Sequence, residues 1–214
     1  VKQMLTKILM MCVFGSLMIA QTDVSGVISS NTTWSSNVNI VGNILVDSGA
    51  TLTIEPGVTL AFQGEYYIQV EGSLVADGNA SSRIRFSNNT ETPAGGYWQH
   101  IYFKSNSTGG SLTYCDFQYG GEAGYVIKSE TTAVISIKHN TFDEYGSNSS
   151  SIPAGTLIYS STSGLIIIEY TLFTMHSTYS DIMNTWGGWT AISGSGMTVL
   201  KNIFFLKGNN LSES

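Results

Sequence analysis

Charge is scarce in this chain of 214 residues: only 11% are Asp, Glu, Lys or Arg, and its nine Lys and Arg are not clustered. Without a basic patch there is no electrostatic footprint for nucleic acid, so that partner is not expected. Cysteine and histidine are as sparse, at two and three residues, and no Cys/His spacing has the pattern of a zinc site. No Gly-rich phosphate loop is present, so neither a metal nor a cofactor is expected. Beyond residue 20 there is no long amphipathic helical pattern and no apolar run long enough to span a membrane.

The first twenty residues stand apart. Lys2 and Lys7 make a short basic start, Ile8 to Ala20 is mostly apolar, and Ala20 before Gln21 marks a cleavage point, the layout of an export signal helix. Its removal takes away two Lys and no acid, so the net charge moves from −6 to −6−2 = −8. It also removes Cys12 and leaves Cys115 alone. An intrachain disulfide is then impossible, and the fold must be held by its core even in an oxidising compartment. The expected location is the cell surface or the medium.

What the chain has is Gly, Ser, Thr and Asn among β-branched and aromatic residues, a composition that favours short strands. From 38 to 86 apolar residues alternate. Leu52 and Ile54 lead to the turn pair Pro56-Gly57, then come Val58, Leu60 and Phe62, then Ile68, Val70 and Leu74, then Ile84 and Phe86 with Arg83 and Arg85 outward. From 112 onward one motif returns four times, an aliphatic residue with Phe five positions later: Leu112/Phe117, Ile137/Phe142, Ile168/Phe173 and Val199/Phe204. The Phe residues are 25, 31 and 31 apart (142−117, 173−142, 204−173). A constant core with variable padding predicts a coiled repeat whose turns stack like on like. Tyr102, Ile127 and Ile158, each 15 before its Phe, read as a second anchor; Ile192, 12 before Phe204, implies a shortened turn or a slipped register. Cys115, Asn140, Thr171 and Asn202 precede each Phe by two, where Asn can bond from turn to turn.

The run Gly49-Ala50-Thr51-Leu52-Thr53-Ile54-Glu55-Pro56-Gly57-Val58, followed by Val70-Glu71-Gly72-Ser73-Leu74-Val75-Ala76-Asp77-Gly78, Ile84-Arg85-Phe86 and Trp98-Gln99-His100-Ile101-Tyr102-Phe103, resembles bacterial right-handed parallel β-helix surface and secreted proteins. The resemblance covers about residues 38 to 206. It implies an all-β solenoid: a signal helix over 1–20, an N-terminal cap over 21–39, and a parallel β-helix over 40–214 that is uncapped and incomplete at its C-terminal end. An open end of that kind would let copies self-associate. The fold hosts adhesins, stalks, lyases and glycosidases alike, so it does not decide the function.

Three insertions, between Phe86 and Ile101, Phe142 and Leu157, and Phe173 and Ile192, are expected to leave one corner of the coil, where a binding face is often built. They bring Tyr97, Trp98, His100, Tyr145, His176, Tyr179, Trp186 and Trp189, aromatic and imidazole side chains suited to a polysaccharide or cell-surface glycan; the alternative is that these rings only pack beneath the loops. Asp143, Glu144 and Asp181, with Lys138 and His139 nearby, are the weak candidates for catalysis. The polygalacturonase pattern of an Asp pair, Gly-His-Gly and Arg-x-Lys is missing. His139, flanked by Lys138 and Asn140, reads as a turn residue. Asn31, Asn88 and Asn148 begin glycosylation sequons of the kind a Ser/Thr/Asn-rich chain contains by chance. Three readings stay open: a non-catalytic surface, adhesion or glycan-binding module, which the residues favour; a polysaccharide lyase or hydrolase fragment; and a spacer without a ligand.

Overall fold

The computed structural model describes residues 21–88, 97–121, 125–143, 156–161, 164–177, 190–194, 197–200 and 203–208. The described elements are all strands: β1 (Thr22–Ile28), β2 (Thr32–Trp34), β3 (Val38–Val46), β4 (Thr51–Ile54), β5 (Thr59–Phe62), β6 (Ile68–Val70) and β7 (Ser73–Asp77). Then come β8 (Ile84–Asn88), β9 (Ile101–Phe103), β10 (Gly109–Thr113), β11 (Cys115–Gln118), β12 (Ile127–Ser129), β13 (Ile135–Lys138) and β14 (Thr141–Asp143). The series ends with β15 (Thr156–Ser160), β16 (Ile166–Glu169), β17 (Leu172–Ser177), β18 (Thr190–Gly194), β19 (Met197–Leu200) and β20 (Ile203–Gly208).

From β4 onward each strand pairs in parallel with the strand three places on, so three strands complete a turn. Strands β2, β4, β7, β10, β13, β16 and β19 form one sheet. The other sheet is curled: the long β3 pairs with β5 through Val38–Ile40 and with β6 through Ile44–Val46, and carries two arms. One arm runs β5, β8, β11, β14, β17, β20 and the other β6, β9, β12, β15, β18. Strand β1 lies along the far side of β3. A curled, all-parallel sheet of this order is compatible with a solenoid. The turn length varies, as the padding between motifs predicts: Leu52 to Leu74 is 22 residues, Leu74 to Gly110 is 36, and Ile135 to Ile166 is 31 (74−52, 110−74, 166−135).

The repeat positions stack as expected. Leu112, Ile137, Ile168 and Val199 are in register, and so are Phe117, Phe142, Phe173 and Phe204. Phe86 is a lower rung of the same column that the repeat spacing does not reveal. Its ring lies 4.8 Å from Phe117, which lies 4.6 Å from Phe142, and Phe142 lies 5.1 Å from Phe173, all stacked and all buried. Asn140, also buried, joins adjacent turns: its Oδ1 accepts from the Cys115 N–H at 2.6 Å and its Nδ2 donates to Leu112 O at 2.8 Å. The second anchor needs one correction. Ile127 pairs with Ile101, not Tyr102, so Tyr102 points outward; the strand alternates, and a one-residue slip reverses the face. Ile192 does pair with Ile158, so the irregular spacing there is a shortened turn and not a slipped register.

A spacing of five is odd, and a straight strand would place Leu112 and Phe117 on opposite faces. Both are buried because a corner intervenes. Tyr114, His139 and Tyr170 occupy that corner with φ of 49°, 56° and 51°, a left-handed conformation that turns the chain and brings the next residue inward. Such a conformation costs about 1–2 kcal/mol per non-glycine residue. It is offset by stacking: Tyr114 on His139 at 4.6 Å and His139 on Tyr170 at 4.8 Å, with planes 4° and 3° apart. Another corner needs glycine for lack of room. A Cβ on Gly72 would stand 2.1 Å from Ala50 O, so the Val70-Glu71-Gly72 turn admits no other residue without moving the backbone.

Candidate functional site

The arm β6–β9–β12–β15 has an apolar inner side and an unusual outer one. Ile68, Ile101, Ile127 and Ile158 point inward in register, and the residue after each, Gln69, Tyr102, Lys128 and Tyr159, points outward. The outward residues form a column along the coil, one per strand, at the roughly 4.8 Å spacing of paired strands. Tyr67, His100 and Tyr125, just ahead of β6, β9 and β12, flank this column. Tyr67 stacks on His100 at 5.6 Å, and Tyr102 and Tyr125 meet the imidazole edge-on at 5.8 and 6.2 Å. Tyr125 stacks in turn on Tyr159 at 5.7 Å.

Two lysines are woven into these rings. Lys128 Nζ lies 4.4 Å from the centre of Tyr102 and 5.8 Å from that of Tyr125, and Lys104 Nζ lies 4.7 Å from Tyr102. Lys128 also pairs with Glu130 at 2.9 Å. Burial works against the charge of Lys128, but hydrogen bonds to Glu130 and Tyr102 outweigh it, and its pKa ends above the ordinary value. Hydrogen bonds from Tyr102 and then Lys128 hold Glu130 below the usual carboxylate range. His100 is different. Burial, and then the charge of Lys128, lowers its pKa to about 4, and its Nδ1 is shut off from solvent without a hydrogen-bond partner. The imidazole is neutral at pH 7. The site is thus a half-buried array of hydroxyls, ring edges, an ammonium and a carboxylate whose geometry is set by neighbouring strands.

Tyr97 and Trp98 are found at the corner between the two arms, with Tyr97 half-buried. Trp98 is fully buried: its ring stacks on Phe62 at 4.6 Å, its Nε1–H donates to Gln118 O at 2.8 Å, and Gly120 leaves the space it fills. That ring has no exposed face for a ligand, in line with the packing alternative. Asp143 ends β14, opposite Gln118. The backbone of His176 lies in β17, opposite Lys207. Glu144, Tyr145, Tyr179, Asp181, Trp186 and Trp189 fall outside the described residues. The strands before and after all three insertions belong to the same two arms, so the described ends of the insertions share one corner. Lys138 is held by Glu169 at 2.9 Å, and His139 is a turn residue inside the tyrosine ladder.

Tyr67, Tyr102, Tyr125, Lys128 and Tyr159 were not among the loop candidates. Their signal is the outward position of each strand, which is visible once Ile101 replaces Tyr102 in the register. Across the coil, Arg83 makes a second outer network, donating to Asp116 at 2.7 Å, to Cys115 O at 3.0 Å and to Thr141 Oγ1 at 3.2 Å, while Thr141 donates to Asp116. These groups saturate one another and tie β8, β11 and β14 together. Comparison with protein-family models, curated proteins and solved structures finds no significant match for this chain.

Proposed function

We infer that the chain is a non-catalytic, exported module on a right-handed parallel β-helix, acting at the cell surface and binding glycans through the outer face of β6, β9, β12 and β15. The carrying observation is the outward aromatic array of Tyr67, Tyr102, Tyr125 and Tyr159 with Lys104 and Lys128 set against its rings. Tyrosine offers contact area at low entropic cost, and these rings are already ordered by their neighbours, so little freedom is lost on binding. Many ring faces are covered by adjacent strands, so the recognition chemistry is hydroxyls, ring edges and the Lys104 ammonium, a set suited to the hydroxyl-rich surface of a polysaccharide.

A glycan array together with reducing-end and unsaturated-product assays tests the reading. Binding without turnover, weakened about tenfold or more by Tyr102→Ala as at an interface hot spot, is the expected result. Turnover abolished by Asp143→Ala or Asp181→Ala would make the chain a lyase or hydrolase. Neither binding nor turnover would leave a structural spacer.

A further inference from the structure

We propose that His100 is an acid-operated latch on this outer face: its protonation breaks the packing of Tyr67, Tyr102 and Tyr125 and disassembles the array while the coil beneath stays intact. The proposal uses the same face as the glycan reading, and as a regulation of binding it rests on that reading.

The imidazole is the hub of the array, touching Tyr67 face-on and Tyr102 and Tyr125 edge-on. It is held by shape alone, since its sealed Nδ1 has no acceptor. A neutral ring tolerates this, because an imidazole nitrogen can remain an unused acceptor at modest cost. An imidazolium has N–H donors on both nitrogens, and a buried charged donor without an acceptor is strongly disfavoured.

The surrounding charges do not relieve it. From its own strand come Tyr102 and Lys104, and from the β12 side Tyr125, Lys128 and Glu130. Lys128 repels the cation directly. Glu130 is engaged by Lys128 at 2.9 Å and by the Tyr102 hydroxyl. From the β6 side come Tyr67 and Glu71, and Glu71 is engaged by Gln69 at 2.9 Å and Asn106 at 3.1 Å. The Tyr67 ring attracts an imidazolium but cannot accept the Nδ1 proton in the ring plane. The way to solvate the charge is for the side chain to leave its slot.

The linkage has a definite sign. The folded chain takes up this proton near pH 4, and the unfolded chain near the ordinary 6.5. The unfolded or released form therefore binds the proton first, and the packed array loses stability as pH falls from 6.5 to 4, with no further loss from this group below that. The loss is local because the inner residues Ile101 and Phe103 hold the strand in the core.

The experiment uses the full chain, with ¹³C-labelled histidine followed by NMR and tyrosine near-UV circular dichroism recorded from pH 7 to 3, beside far-UV dichroism for the strands. Expected are a His100 midpoint near 4, a near-UV change with the same midpoint, and an unchanged far-UV spectrum. His100→Gln, a neutral stand-in, should remove the near-UV transition. Lys128→Met should move the midpoint upward without abolishing it, which keeps the test valid if the Gln variant does not fold. A midpoint at an ordinary 6 to 7, or a near-UV transition that persists in His100→Gln or stays put in Lys128→Met, would overturn the proposal. Glycan binding at pH 7 is scored separately: a transition in a chain that binds no glycan keeps the latch and discards the glycan reading, and binding without a transition does the reverse.

Discussion

Replacing Phe142 with Ala tests whether the phenylalanine column is the structural axis of the molecule. The side chain is wholly buried between Phe117 at 4.6 Å and Phe173 at 5.1 Å. Phe→Ala in a core costs about 3–5 kcal/mol, depending on how far the site can collapse. Collapse here is resisted: β14 is hydrogen-bonded in register to β11 below and β17 above, so the neighbouring turns cannot close the gap without breaking those pairs. Two stacked ring pairs are also lost, each contributing about 0.5–1.5 kcal/mol within that total. The expected loss is therefore about 4 kcal/mol, a large share of the 5–15 kcal/mol typical of a whole domain. Guanidinium titration would show it as a lower midpoint with an unchanged slope. Val134→Ala, at a half-exposed position, is the control and should change stability by less than about 0.5 kcal/mol. A Phe142→Ala loss under about 1 kcal/mol, or one no larger than the control, would refute the argument that the column bears the packing.

Asn140→Ala leaves the Cys115 N–H and the Leu112 carbonyl without their partner and should cost about 2–4 kcal/mol in the same titration, counting about 1–3 kcal/mol for each buried group left unpaired; a neutral result would mean water replaces the amide. Gly72→Ala, whose Cβ would stand 2.1 Å from Ala50 O, should cost about 3 kcal/mol or more, and unchanged thermal stability would show that this corner yields easily.

Much of this architecture could be read from the chain alone, because the determinants are local and repeated. The recurrence of Leu112/Phe117, Ile137/Phe142, Ile168/Phe173 and Val199/Phe204 was enough to expect stacked turns, since a buried column must be filled at the same place in every turn. The site was much less legible. An aromatic in a loop and an aromatic under a loop look alike in one dimension, and Trp98 joined the core because Phe62 and Gly120, far apart in sequence, make its slot. Register was the other obstacle. A one-residue shift, from Tyr102 to Ile101, decides which residue of β9 faces out, and the outer array of Tyr102, Lys128 and Tyr159 depends on it.

The residue pattern by itself determined that the chain would form short strands and stack them in a repeating order, since alternation and turn residues act over a few neighbours. Only the tertiary structure decided what those strands present to solvent. Outer neighbours come from successive turns, 26 residues apart from Tyr102 to Lys128 and 31 from Lys128 to Tyr159 (128−102, 159−128), and the coil's variable padding alone determines which of them meet.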